Sequence, residues 1–117
     1  MSTANYKEER PWGWFEILFE EAGLKVKRIM VKPGKRLSLQ SHERRAENWV
    51  VIQGRARVTI GERTHELEPH QAVFIPRQSR HRMENPGQEE MVFIEVQTGS
   101  YLGEDDITRY QDDFDRC

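Results

Sequence analysis

Four side chains carry the chemistry most legible in this sequence: Gln40, His42, Glu47 and His81. Alternate side chains of an extended segment share a face, so the amide of Gln40 and the imidazole of His42 converge without any long-range folding. Glu47 follows the charged turn Glu43-Arg44-Arg45-Ala46 and precedes the apolar run Trp49-Val50-Val51-Ile52, which sets it near the start of the next strand. His81 follows Pro76 in a second unit of similar build. Two imidazoles, a carboxylate and an amide oxygen suit one divalent ion. Zinc is the first expectation, and iron, manganese, cobalt and nickel are compatible with the same ligand types. Taken singly, Gln40 reads equally well as a polar strand-end residue and His81 as a turn histidine, so it is the joint spacing that favours a metal.

These residues need a frame that brings two separate segments side by side. Between residues 24 and 96, short β-branched and aromatic runs are broken by Gly, Pro and Asn at close intervals, the pattern of a small antiparallel sandwich or barrel. Residues 24–31 read as a strand closed by Lys32-Pro33-Gly34, and Leu37-Ser38-Leu39 leads into the Gln40/His42 segment. Residues 48–52 run to Gln53-Gly54, and Ala56, Val58 and Ile60 then alternate with polar neighbours as a half-buried strand. Gly61-Glu62 turns the chain into 64–67, the run 71–75 stops at Pro76, the His81 segment stops at Asn85-Pro86-Gly87, and 91–96 is the last strong strand. The sum is about eight strands, with helix signals nearly absent. The polar stretch before Trp12 reads as a loose lead-in, and the acidic segment 103–115 as a short helix or a strap over the domain. The expected unit is one domain with its core at about 12–103 and an acidic C-terminal segment at 104–117.

A chain of 117 residues has room for one modest core, which must hold the whole function. Charged residues make up 32% of the sequence at a net charge of only −2, with Lys and Arg scattered among Asp and Glu; without a basic stripe, nucleic acid is not an expected partner. No apolar stretch approaches the length needed to span a bilayer, and the first ten residues are too polar for a signal-peptide core, so the reading is cytoplasmic and free of membrane. The single cysteine, Cys117, leaves no internal disulfide and no thiolate metal site to argue for.

With those residues in hand, the chain resembles the cupin superfamily. Gly34, Gln40, His42, Glu47 and Gly54 keep the intervals of the first cupin motif, with Gln in place of its first histidine. His70, Pro76, Gln78, His81 and Asn85 keep those of the second, with both of its glycines replaced. A narrower resemblance covers nearly the whole chain. Arg10-Pro11-Trp12-Gly13, Pro33-Gly34, Leu37-Ser38-Leu39-Gln40, Arg45-Ala46-Glu47, Glu84-Asn85-Pro86-Gly87 and Ser100-Tyr101-Leu102-Gly103-Glu104-Asp105-Asp106-Ile107 are similar to the C-terminal domain of type II mannose-6-phosphate isomerases. In that family the domain usually follows a mannose-1-phosphate guanylyltransferase domain; here it reads as a stand-alone unit, so guanylyltransferase activity is not expected. The family commonly has a run of histidines after the glutamine and another after the glutamate, whereas this chain has Ser41-His42-Glu43-Arg44 and Asn48.

The resemblance implies an all-β cupin jelly roll, a double-stranded β-helix barrel, that binds one divalent metal and interconverts mannose 6-phosphate and fructose 6-phosphate. Such an isomerase moves a proton between adjacent carbons through an enediol and needs a cation at the two oxygens, a base and a phosphate clamp. Arg109 matches an arginine that the family marks as important for isomerisation; its guanidinium could stabilise the enediolate or hold phosphate, or simply balance Asp105 and Asp106. Lys25, Lys27 and Arg36 are candidate phosphate contacts. Glu95 is the candidate base, because it interrupts an apolar strand and shares a face with Phe93 and Gln97; the alternative is that it orients a ligand histidine. Rival expectations are a non-catalytic cupin that binds a sugar phosphate or sugar nucleotide in polysaccharide synthesis and, third, a metal-dependent oxygenase. A homodimer is expected from the habit of small cupins of pairing through strand edges.

Overall fold

Period-two alternation of apolar residues decides the architecture. In the computed structural model, which describes residues 6–113, the chain forms eleven strands and, among the described residues, no helix. The strands are β1 (Tyr6–Arg10), β2 (Gly13–Glu21), β3 (Leu24–Val31), β4 (Leu39–Ser41), β5 (Arg45–Gln53) and β6 (Ala56–Ile60), followed by β7 (Arg63–Leu67), β8 (Ala72–Ile75), β9 (His81–Glu84), β10 (Met91–Gly99) and β11 (Thr108–Gln111). They form two antiparallel sheets, one in the order β1-β2-β3-β10-β5-β8 and the other β11-β4-β9-β6-β7. The eight segments read from sequence reappear as β3 to β10.

Three strands go beyond that reading. The stretch before Trp12, read as a loose lead-in, is strand β1 from Tyr6 onward, paired with β2 from Tyr6↔Ile17 to Arg10↔Gly13. Its side chains are mostly exposed, so backbone pairing and the Lys7 ammonium, 4.2 Å above the Trp14 ring, hold it rather than an apolar face. The acidic segment is a strap: β11 pairs with β4, Arg109 opposite Gln40. Residues 1–5, the start of the polar segment used to argue against a signal peptide, and residues 114–117, with Cys117, lie outside the described residues.

The core fills the space between the sheets. Val31, Val51, Val58, Met83, Met91 and Phe93 are completely buried. Turns at the rim of the barrel carry the chain between sheets, and Asn85 ties one of them down: its amide donates to the carbonyls of Val31 (2.9 Å) and Glu89 (2.7 Å) and accepts from the amide of Gly87 (3.0 Å). Two other turns keep a left-handed backbone without glycine, at His70 (φ 77°) and Gln78 (φ 67°), the positions where the second motif of the sequence lacks its glycines.

Candidate metal centre

Strand register assembles the site. On β5 the inward-facing side chains are Arg45, Glu47, Trp49 and Val51, and on β10 they are Met91, Phe93, Glu95 and Gln97. The pairing sets Glu95 opposite Trp49 and Gln97 opposite Glu47, so both strands change from apolar to polar at the same level. Across the barrel, β4 and β9 pair through Gln40↔His81, and His42 follows directly after β4. The four residues singled out by spacing, Gln40, His42, Glu47 and His81, all line one cavity of about 130 Å³.

Within it, one ligand atom from each of His42, Glu47 and His81 lies within 4.8 Å of the others, and all three residues are buried. The imidazoles are fixed from behind. His42 Nδ1 lies 2.7 Å from the Asp106 carbonyl and His81 Nδ1 lies 3.1 Å from that of Ser79. A carbonyl can only accept, so both Nδ1 atoms carry the proton and both Nε2 atoms keep the lone pair that a metal would use. Burial, the Arg45 charge and His81 pull the His42 pKa down to about 4, and burial does the same for His81, to about 4. Both rings are therefore neutral near pH 7, the form a metal takes. Gln40 Nε2 donates to Ser38 Oγ at 3.2 Å, which leaves its carbonyl oxygen as an acceptor. This donor set fits one divalent ion of the zinc, iron or manganese type and does not distinguish among them.

The carboxylates divide into two environments. Trp49 Nε1 donates to Glu47 Oε1 (2.8 Å) and to Glu95 Oε1 (3.2 Å), and Gln97 Nε2 donates to Glu95 Oε2 (2.6 Å). Burial, reinforced by the neighbouring Glu47, raises the Glu95 carboxyl to about 7 against the opposing pull of Lys27 and Arg45. Glu104 lies at the other extreme. Partial desolvation would raise it, yet Lys27, Arg45 and Lys25 outweigh that and hold it at about 2.

Cations surround the same cavity, although not all those named from sequence. Arg109 lines it, as does Lys27, whose ammonium is bound by both Glu104 oxygens at 3.0 Å. Lys25 opens onto a separate groove and bonds the Leu102 carbonyl (2.9 Å) and Glu104 (3.2 Å). Arg36 stays outside: its guanidinium forms a two-pronged pair with Asp113 at 2.8 and 3.0 Å, and lies 3.7 Å from Glu84. Sequence reasoning missed Arg45 and Glu104. Arg45 sits two residues before Glu47 on the same strand, so period two could have found it; nothing local marks Glu104, whose lysine partners lie 77 and 79 residues away. Among the described residues, four buried side-chain atoms lack a hydrogen-bond partner: Trp12 Nε1, Arg45 Nη1, Arg109 Nε and Gln97 Oε1. The three that are donors belong to residues lining this cavity.

Comparison with known proteins places the chain in a family and agrees with its fold. The family described as mannose-6-phosphate isomerase C-terminal matches residues 2–112. The xanthan biosynthesis protein XanB of Xanthomonas campestris pv. campestris is 48% identical over 98% of this chain and 25% of its own length. The alginate biosynthesis protein AlgA of Pseudomonas aeruginosa is 50% identical over 97% of this chain and 24% of its own. The chain thus spans about a quarter of the length of these curated relatives. Among solved structures, the capsular polysaccharide assembling protein CapF of Staphylococcus aureus superposes with a TM-score of 0.80 at 20% identity, covering 94% of this chain and 35% of that one. A cupin-2 domain protein of Rhodospirillum rubrum gives 0.72 at 20% identity, over 87% and 78%. The fold is that of a cupin.

Proposed function

We propose that this chain, which belongs to the mannose-6-phosphate isomerase C-terminal family, holds one divalent ion on Gln40, His42, Glu47 and His81 and interconverts mannose 6-phosphate and fructose 6-phosphate. The reading is supported by one observation above all: a cluster of two neutral imidazoles and a carboxylate shares its cavity with three unpartnered N–H donors. Buried donors without acceptors are costly, and an oxygen-rich anion is the ligand class that satisfies them. The relatives named for xanthan and alginate biosynthesis support a role in supplying sugar phosphates to polysaccharide synthesis.

A divalent ion held there would supply positive charge to the two sugar oxygens that exchange roles in the reaction. Glu95 is then the base. Its carboxylate, basic because its pKa is raised to about 7, takes the proton from C2 of the open-chain aldose and returns it to C1, while the hydroxyl proton passes from O2 to O1, so that the ketose has the same atoms as the aldose. Arg109 and Lys27 serve the phosphate or the enediolate, with Lys25 behind Glu104 as a supporting charge; Arg36 is too far removed to contribute directly. The test is production of fructose 6-phosphate from mannose 6-phosphate by chelator-stripped protein given zinc, manganese, cobalt, nickel or iron in turn, with His42→Ala as control. Metal-dependent turnover lost in His42→Ala is the expected result. Metal binding without turnover under any ion would instead favour a sugar-phosphate-binding cupin.

A further inference from the structure

The buried guanidinium of Arg45 lies against two of the three clustered ligand residues. Its Nε donates to Glu47 Oε2 at 2.8 Å, its Nη2 lies 3.1 Å from His42 Nε2, and its Nη1 has no partner. The other side of each ligand is already committed, Glu47 Oε1 to the Trp49 indole and His42 Nδ1 to the Asp106 carbonyl. An imidazole nitrogen has one lone pair, and that of His42 Nε2 can serve a guanidinium N–H or a metal ion, not both. The arginine and the ion are therefore competitors for the same atom.

We infer that Arg45 is an exchangeable internal cation: it neutralises Glu47 and caps His42 until an ion takes the His42 lone pair, and the released guanidinium then turns its Nη donors to an anionic ligand in the cavity. The inference rests on the metal reading given above. Arg45 suits both roles. It is 6% exposed, so its charge needs a carboxylate partner in either state, and Glu47 stays within reach through Nε when Nη2 leaves His42. A guanidinium with two free Nη groups also matches the geometry of a phosphate or carboxylate. Metal and anion binding are thereby linked, and the ion raises affinity for the anion by freeing a donor as well as by its own charge.

The experiment measures zinc affinity by competition with a chromophoric chelator at pH 7.5 for wild type, Arg45→Met, Arg45→Gln and Arg45→Lys, with the metal-induced rise in Tm as a second readout. Arg45→Met and Arg45→Gln, which remove a like charge at close range as well as the competitor, are expected to bind zinc about tenfold or more tightly than wild type. The glutamine variant keeps a polar partner for Glu47 in case the methionine variant does not fold. Arg45→Lys retains the charge but lacks the fork that bridges Glu47 and His42, and it too is expected to bind more tightly than wild type. In wild type, zinc should also tighten the binding of inorganic phosphate by a larger factor than in Arg45→Met. Zinc affinity unchanged or weakened in the variants, with wild type binding normally, would overturn the exchange and leave the metal site standing, because a merely structural arginine loses affinity when removed. No zinc binding by wild type or any variant sinks the metal reading and the exchange together; binding by the variants alone is the exchange in its strongest form.

Discussion

The same two strands build the two ends of the barrel by opposite rules. At one end the inward faces of β5 and β10 carry Val51, Met91 and Phe93, atoms whose only requirement is to be packed; at the other they carry Arg45, Glu47, Glu95 and Gln97, atoms that must each find a partner. Trp49 forms the boundary. Its ring packs on Phe93, with centroids 5.4 Å apart, and its indole N–H serves both Glu47 and Glu95. The difference teaches where stability and chemistry are stored. The apolar end tolerates no loss of volume, whereas the polar end is fully buried yet titratable, and its stability depends on protonation. The comparison can be broken at either end.

The largest effect belongs to the apolar end. Phe93 is completely buried between Trp49 and the aliphatic core, so Phe93→Ala should cost about 3–5 kcal/mol of unfolding free energy, measured by denaturant titration. A loss below about 1 kcal/mol would mean that the two sheets close over the gap and that this end is not packed as rigidly as described.

The polar end should respond to pH instead. His42 and His81 sit at about 4, below the ordinary imidazole value of 6.5, and Glu95 sits at about 7, above its ordinary 4.5. Between about pH 4.5 and 6.5 the unfolded chain therefore takes up to two protons that the folded imidazoles refuse, while the folded chain keeps one on Glu95 that the unfolded chain has lost. Net, the unfolded state binds about one proton more through the middle of that window, so the stability of the metal-free protein rises with pH by at most about 1.4 kcal/mol per unit, about 2 kcal/mol in all. The slope falls to zero at about pH 7, where the unfolded imidazoles and the folded Glu95 are each giving up their protons. Denaturation in chelating buffer at pH 4.5, 5.5 and 6.5 reads it directly, and a flat profile is the result that contradicts the burial of these imidazoles.

Trp49→Phe probes the boundary itself. The substitution keeps most of the ring contact but removes the N–H shared by Glu47 and Glu95, which retain Arg45 and Gln97 as partners. The expected cost is about 1–3 kcal/mol, with the upper end of the pH profile shifted further upward as Glu95 loses a donor to its charged form. An unchanged profile would assign the indole a packing role only.

How much of this was legible in the sequence follows the same division. Strand β6 announced itself by alternation, β3, β5 and β10 by apolar and β-branched runs between turn residues, and Gln40, His42, Glu47 and His81 by spacing, because strands convert spacing into shared faces. β1 was illegible since Tyr6-Lys7-Glu8-Glu9-Arg10 buries almost nothing and owes its place to backbone pairing. Arg45 was hidden in a charged turn, where arginines are normally solvated; its burial depends on Glu47 two residues along and on the fold closing over both. The lysine partners of Glu104 are far away in sequence, so no local pattern could distinguish it from the acidic residues that follow.

The smallest effect concerns two residues outside both ends. The second motif's missing glycines suggest on paper a changed backbone, yet His70 and Gln78 hold left-handed φ values of 77° and 67°. Both are exposed, and their backbone amides are engaged, His70 N–H to the Val51 carbonyl (2.8 Å) and Gln78 N–H to that of His42 (2.7 Å). The second of these bonds fastens the turn after β8 to the residue that carries the candidate metal ligand, so the chain keeps the conformation where position matters and accepts its cost in a side chain with a Cβ. That cost is about 1–2 kcal/mol per residue, and glycine recovers most of it while giving back some through the freedom of the unfolded chain. His70→Gly and Gln78→Gly should each stabilise the protein by about 0.5–1 kcal/mol without altering metal affinity, as read by thermal denaturation and chelator competition. If Gln78→Gly also loosened metal binding, the strained side chain would be fixing the turn behind His42, and the division between structural turns and binding site drawn above would have to be moved.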